Sequence, residues 1–500
     1  MVPLDNARRA GCTDQHGNGP HQSDSMRPIT SGAARWPCPS VHLSWAGVAA
    51  TDGNALIEAP PVRRRPNLAV MMDSDQTALV GRSFDNLWDS LLPIGRDPRT
   101  GGYRRFAWSA ADREAKEWFH QAAAARGMPV EVDRNGNLWA WWGDPRPGSV
   151  VTGSHLDSVP DGGPFDGPLG VVSAFCAIDL LTARDTSTSG ESGGRRSIAV
   201  VCFTDEEGAR FGVACVGSRL LTGVLDPSQA RRLTDAEGIT LADAMRSAGH
   251  DPDRLGRDDE ALSRTGAFVE LHIEQGRALA DLDSAVAIGQ GIWPHGRWRF
   301  DFTGRADHAG TTKLADRHDP TLAYARTILD ARRHAERLGA LATFGKVVVE
   351  PNGTNAIPSS VRAWLDARAR EDATVEELVS AIATASGAAV DRESWSPEVE
   401  FDPSLRTRLA EVVAAVIQPT PDSPEAAPSP RRSTVPILGT GAGHDAGILA
   451  AKMPTGMLFV RNPTGVSHSP REHADRADCL SGVAALAAVL QDLAGGRGND

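Results

Sequence analysis

Three consecutive segments constrain the fold of this chain most: SVVTGSH (149–155), GVVSAFCAIDLL (170–181) and SIAVVCFT (197–204). Two short apolar runs of strand character flank an apolar run of helix length. That β-α-β rhythm requires an α/β sheet whose working loops lie at strand ends. The segment NLWAWWG (137–143) adds a strand, and Phe84, Leu87, Leu91 and Leu92 mark a helix before it. A second helix is expected over DREAKEWFHQAAAARG, with Trp118, Phe119 and Ala122 on one face and Gly127 as its C-terminal stop.

A different order of elements begins near residue 290. WRFDFTG, GKVVVE and SSVRAWLDARA read as strands, and the segments from Asp319 to Gly339 and from Thr374 to Gly387 read as helices. Helices on a small sheet are expected there, interrupting the first domain, because α/β elements resume after Pro403. The expected organisation is a tail over 1–78, a catalytic domain over 79–290 and 403–495, and an inserted lid or dimerisation domain over 291–402. The tail lacks helical or strand period and reads as disordered, or as the product of a mis-assigned start with Met71 or Met72 as the true one. It has no apolar core of a secretory signal. The stretches 183–196 and 419–432 read as loops or insertions.

At 500 residues the chain exceeds what one core usually holds, and 41% hydrophobic residues suffice for two. A formal net charge of −12 argues against nucleic acid or an anionic membrane as the main partner. No run is read as approaching the ~18 apolar residues of a membrane span. Six cysteines, Cys12, Cys38, Cys176, Cys202, Cys215 and Cys479, lack metal-knuckle spacing and fit reduced thiols in the cytoplasm.

Unusual polar residues follow several of the apolar runs. GSHLDSVPDGGPFDG places His155, Asp157, Asp161 and Asp166 after a strand; Asp205, Glu206 and Glu207 follow VVCFT; His272, Glu274 and Gln275 follow AFVEL. His444 and Asp445 lie in GTGAGHDAG and His468 in GVSHSPREH. Histidines and carboxylates deposited at several strand ends of one sheet build a metal site. His155, Asp166, Glu207, His272 and His468 supply three imidazoles and two carboxylates, a set that suits two Zn2+ or Mn2+ ions with a bridging carboxylate. Asp157, two residues from His155, is expected to accept the other ring N–H and fix the tautomer. Glu206 and Glu207 divide the labour, one binding metal and one taking a proton from water. Taken alone, DEEG also reads as a helix N-terminus whose acids suit the dipole.

Seven ordered motifs, HLDSVPDGGPFDG, FTDEEGARFG, ELHIEQG, RADHAGTT, GTNAIP, GAGHDA and GVSHSP, resemble the hydantoinase/carbamoylase branch of the aminoacylase- and carboxypeptidase-like dinuclear metallohydrolases. That branch holds N-carbamoyl-L-amino acid hydrolases, allantoate amidohydrolases and 3-ureidopropionate amidohydrolases. The resemblance spans about residues 83 to 495. It implies an α/β fold, a phosphorylase/hydrolase-like metallopeptidase catalytic domain with an inserted smaller α+β lid/dimerisation domain. It also implies His155 as a terminal ligand, Asp166 as the bridge, Glu207, His272 and His468 as the remaining ligands, and Glu206 as general base. His308, Gln275, Asn355 and Arg368 match substrate-binding positions, His308 with an oxyanion-stabilising role and Arg368 as a carboxylate clamp. A homodimer through the 291–402 domain is implied, its histidine reaching toward the neighbouring site.

The implied activity is hydrolysis of a linear amide or ureido C–N bond in a small carboxylate substrate of the allantoate or N-carbamoyl-L-amino acid type. A deformylase or deacylase of N-acyl acidic amino acids, and a non-catalytic binding protein on the same fold, are the alternatives. Two departures from the family pattern stand out: Lys313 follows the HAGTT threonines in place of proline, and Arg461-Asn462 replace a proline and a serine. Arg461 is therefore expected to read a second negative charge on an acidic substrate, or else to be solvated or to pair with Glu472. Asp161 is left solvated and without a role.

Overall fold

Strand formation follows the apolar runs in the computed structural model, which describes residues 74–184, 195–417 and 435–495. The first strands are β1 (Val130–Val132), β2 (Leu138–Trp142), β3 (Ser149–His155), β4 (Ile198–Phe203), β5 (Thr265–Ile273) and β6 (Val286–Ile292). Then come β7 (His295–Thr303), β8 (Asp307–His308), β9 (Leu341–Glu350), β10 (Ala356–Ile357), β11 (Ser360–Arg368) and β12 (Ala389–Ser396). The chain returns through β13 (Val399–Glu400), β14 (Ile437–Thr440) and β15 (Thr455–Val460).

Nine strands form one mixed sheet in the order β1-β2-β4-β3-β5-β15-β6-β13, with β14 beside β6. Its centre is parallel: β3 pairs with β4 and β5, and β5 pairs with β15. The loops after β3, β4, β5 and β15 therefore leave one edge of the sheet together. Successive residues of a strand face opposite sides. Val150, Val200 and Leu271 accordingly pack under the helices Ser74–Leu91, Pro168–Arg184 and Arg476–Ala494, while Val151, Val201 and Phe203 fill the opposite face. Each fully buried Val, Leu or Phe side chain contributes roughly 1.5–3 kcal/mol, so this double-sided core anchors the strand ends firmly.

The helix Arg476–Ala494 has the length and mean hydropathy, 1.4, to cross a membrane, contrary to the sequence expectation, but 78% of its apolar window is buried in the protein. Its apolar surface serves the core, where Val483, Leu486 and Leu490 are inaccessible to solvent.

The expected second group of elements forms an antiparallel sheet in the order β12-β7-β11-β9, covered by the helices Pro320–Leu338 and Asp372–Ser386 around a separate core of Trp298, Phe300, Leu365 and Leu378. Strand β12 was not expected. Its residues, AVDRESWS, are mostly exposed along an edge, so no apolar alternation announces it. The first helix begins at Ser74, before the expected boundary at 79. The rest of the tail with Cys12 and Cys38, most of 183–196, and 419–432 lie outside the described residues.

Candidate metal centre

His155 closes β3, and the loop that follows turns Asp166 back toward it. Gly167 makes the turn feasible: at φ +85° a Cβ there would stand 2.5 Å from the His155 ring. His272, near the end of the neighbouring β5, brings Nε2 to 3.2 Å from Asp166 Oδ1, and His155 Nε2 lies 3.8 Å from the same oxygen. The second carboxylate oxygen faces His468, with Nε2 3.3 Å from Oδ2, and His468 lies 3.6 Å from Glu207. Three groups with metal-ligand spacing result, and the five expected ligands fall in two of them, His155/Asp166/His272 and Asp166/Glu207/His468, with Asp166 common to both; the third, Glu270/His272/His444, shares His272.

The donor set fits divalent metal. His155 Nδ1 lies 3.1 Å from the carbonyl of Asp157, and His272 Nδ1 lies 2.9 Å from that of Ile273. Each carbonyl fixes the ring proton on Nδ1 and leaves the Nε2 lone pair turned inward. Both Nε2 atoms and Glu207 Oε1 are buried without a hydrogen-bond partner, as ligand atoms are when the cation is removed.

Electrostatics agree. Burial depresses the His155 pKa to about 4. Burial also opposes a charge on His272, but the Asp166 contact outweighs it and raises the pKa to about 9. The same carboxylate raises His468 to about 9. Burial pushes Glu207 up to about 8 and Glu206 well above the usual carboxylate range, the latter reinforced by Asp445 and Glu207. Asp166 is buried too, yet the contacts of His272 and His468 hold it well below that range. Crowded acids at one locus lower their energy by binding cations.

Asp157 acts differently from expectation. Its backbone carbonyl, not its carboxylate, meets the His155 ring; the carboxylate lies 3.6 Å away and instead accepts the main-chain N–H groups of Glu206 and Glu207, each at 3.1 Å. It thereby couples the loop after β3 to the loop after β4. Asp161 is not merely solvated: it accepts Thr100 Oγ1 at 2.7 Å and pairs with Arg104.

Glu472 was missed as part of the site. Its Oε2 accepts the amides of Phe165 and Asp166 at 2.8 and 3.1 Å, and Ser467 donates to its Oε1. Only its neighbourhood with His468 in sequence hinted at this, since Asp166, in the loop it braces, lies 306 residues earlier. Glu270 was also missed. It is fully buried in β5, bonded to Ser154 Oγ and the Ala446 amide, and an acid inside an apolar strand is the signal that would have found it.

A cleft of about 930 Å³ opens beside His468 and reaches the small sheet. Gln275 lines it and donates to Asp166 Oδ2 at 2.9 Å. Arg368 lines it as well, held by Asp366 through two bonds of 2.7 and 3.0 Å and by the Gly441 carbonyl. Arg370, over the Trp293 ring at 5.5 Å, lines the same cleft. His308 and Asn355 do not. They sit on the exposed β8–β10 ribbon, where Asn355 accepts the Ala309 amide through its carbonyl and His308 Nδ1 accepts the amides of Gly310 and Thr311.

Arg461 corrects a further expectation. Its guanidinium is paired with Asp478 at 2.8 Å and Asp283 at 3.1 Å, not with Glu472, and it does not line the cleft. The acidic-substrate reading thus loses the residue that carried it. Its neighbour Asn462, fully buried, accepts from Thr464 and Gly465 and donates to the Val466 carbonyl, shaping the turn that delivers His468 at φ 53°. Lys313 precedes a short 3-10 turn over Leu314–Asp316 without capping it through its side chain.

The profile of Peptidase family M20/M25/M40 matches residues 151–492. An N-carbamoyl-L-amino acid amidohydrolase of Geobacillus stearothermophilus is 37% identical over 421 residues, covering 83% of this chain and 99% of the relative. An allantoate amidohydrolase of Escherichia coli K12 is 31% identical over 418 residues, covering 81% of this chain and 96% of the relative. A hydantoinase/carbamoylase family amidase from Burkholderia vietnamiensis, known from its crystal structure, superposes with a TM-score of 0.72 at 27% identity, covering 86% of this chain and 99% of that one.

Proposed function

The chain belongs to Peptidase family M20/M25/M40, in its hydantoinase/carbamoylase branch, and from that premise we propose that it hydrolyses the amide or ureido C–N bond of a small carboxylate such as an N-carbamoyl-L-amino acid or allantoate. The observation that carries this reading is the pair of ligand groups sharing Asp166, with Glu206 Oε2 3.7 Å from His155 Nε2 beside them. His155, Asp166 and His272 would hold one divalent ion, and Asp166, Glu207 and His468 the other, as zinc or manganese. Bound there, such ions lower the pKa of water toward ~7 and polarise the scissile carbonyl.

Glu206 is the general base. It receives the proton of the attacking water on its carboxylate and returns it to the departing nitrogen. Nearby positive charge offsets the burial that keeps it protonated otherwise. Gln275 orients the shared Asp166 from the cleft side. Arg368 and Arg370 supply the cationic wall a substrate carboxylate requires, Arg370 with no carboxylate within ion-pairing distance among the described residues.

His308 and Asn355 complete the site from a second subunit in this reading. Their absence from the cleft supports that, as does the surface of the small sheet. Its edge strand β9 exposes Val347 and Val348, and the adjoining helix exposes Leu322 and Leu329. A homodimer through residues 291–402 would cover them. The free, buried state of Cys176, Cys202, Cys215 and Cys479 supports a cytoplasmic setting.

A substrate panel tests the proposal. The metal-free protein and its zinc- and manganese-loaded forms would be assayed on N-carbamoyl-L-amino acids, allantoate, 3-ureidopropionate and N-formyl amino acids, measuring ammonia, formate and free amino acid. Ammonia release from a ureido substrate, abolished by chelation and restored by metal, is expected. Hydrolysis of N-formyl substrates alone would replace the ureido substrates by the deformylase alternative, and no hydrolysis by a fully loaded protein would refute the proposal.

A further inference from the structure

We propose that Cys215 is a positioning residue for Glu206: its thiol pins one oxygen of the carboxylate so that the other faces the ligand cluster. This rests on the reading of Glu206 as general base.

Cys215 is not a ligand candidate, and nothing in its sequence context marks it. In the fold its Sγ lies 3.5 Å from Glu206 Oε1, with both residues buried. No other hydrogen bond reaches that carboxylate among the described residues, whereas three other buried acids take stronger donors, although Asp205 beside it takes none. Asp157 takes two amides, Glu270 a hydroxyl and an amide, and Asp445 the hydroxyl of Ser218. The base therefore depends on a single weak donor for its orientation.

The backbone explains how the thiol comes to be there. Residues 206–215 form a closed loop: the Cys215 amide donates to the Glu206 carbonyl at 2.6 Å, Val216 to Asp205 at 3.0 Å and Gly217 to Thr204 at 2.9 Å. Cys215 adopts φ 56°, a left-handed conformation that non-glycine residues seldom take, directly before the helix Val216–Thr222. Such strain persists where the surroundings over-determine it, and here it directs a side chain back onto residue 206.

The two oxygens of Glu206 are consequently unequal. Oε1 meets the thiol, while Oε2 lies 3.7 Å from His155 Nε2, on the side of the ligand cluster. Burial, together with the charge of Glu206, pushes the Cys215 pKa well above its ordinary value, so the sulfur keeps its proton and acts as donor. Rotation about the last carboxylate torsion is otherwise soft, and a base that turns away from its proton donor loses rate without losing substrate.

The test compares C215A with C215S, which lose similar volume but differ in the donor. Each would be assayed with N-carbamoyl-L-alanine or allantoate, whichever the wild type hydrolyses, alongside metal content and thermal unfolding. The expectation is a drop in kcat of about fivefold to tenfold in C215A, with KM and metal content unchanged, and recovery to within about twofold of wild type in C215S. Equal losses in both variants, or none in C215A, would overturn the proposal. E206Q in parallel separates the two claims: a dead E206Q with an indifferent C215A removes only the role of the thiol, whereas an E206Q enzyme with wild-type kcat removes the base and the proposal with it. Infrared spectroscopy reads the contact without turnover. The wild-type spectrum should contain an S–H stretch lowered by hydrogen bonding that moves up in E206A and vanishes in C215A; a band unmoved by E206A contradicts the contact.

Discussion

Among individual residues, Asp166 organises the rest. It links the two groups formed by the five expected ligands, and it contacts two histidines whose pKa values are raised to about 9. A raised folded-state pKa means that the folded protein binds more protons than the unfolded one between the two values. For His272 and His468 that interval runs from the model-peptide 6.5 up to about 9, and Glu207, raised to about 8, adds to it over the lower part. The contribution of the two histidines is fully present below 6.5 and disappears as pH rises through 9. The metal-free protein is therefore expected to melt at progressively lower temperature from pH 6.5 to 9, and the metal-loaded protein to lack that trend, because ligands lose their protons on binding. Scanning calorimetry at graded pH checks it; parallel curves for both forms would contradict the ligand assignment.

Individual elements show how far sequence carries and where it stops. The β-α-β unit, the neighbouring strands and both helices of the small sheet were legible because apolar periodicity is a local signal. The five ligand candidates were legible because each lies on a loop after, or near the end of, a strand-like run. What stayed hidden depends on long-range closure. Glu472 meets Asp166 only after the whole sheet has formed, and Arg461 was misread because its partner Asp478 lies on the next helix, not in the loop. Strand β12 was hidden for the opposite reason, being polar and held by backbone pairing with β7. The bracing by Glu472 is testable. Glu472→Ala would strand two buried amides, each loss costing about 1–3 kcal/mol. Weaker metal retention and a lower melting temperature are expected, with Glu472→Gln intermediate, as read by equilibrium dialysis and thermal unfolding. Unchanged retention in the alanine variant would show that the loop holds itself.

On the scale of the whole molecule, the proposed function has the M20-type fold separate ligand delivery from substrate recognition. One sheet edge carries the candidate ligands, and the end of β11 and the residues just beyond it bring Arg368 and Arg370 to the cleft. Residues His308 and Asn355 lie on an exposed ribbon outside that cleft, and β9 presents an apolar edge. If a second copy covers that edge, Val348→Lys is expected to yield monomers in sedimentation analysis and to lower activity while leaving metal content intact. A variant that remains dimeric would move the interface elsewhere.

The two proposed cation sites share Asp166. Mass spectrometry of metal content under native conditions, comparing wild type with Asp166→Ala, addresses this directly. The prediction is about two divalent ions per folded wild-type chain and the loss of both in the variant, since the bridge serves each site. A variant that keeps its ions, or a wild type that never binds more than one, would contradict it.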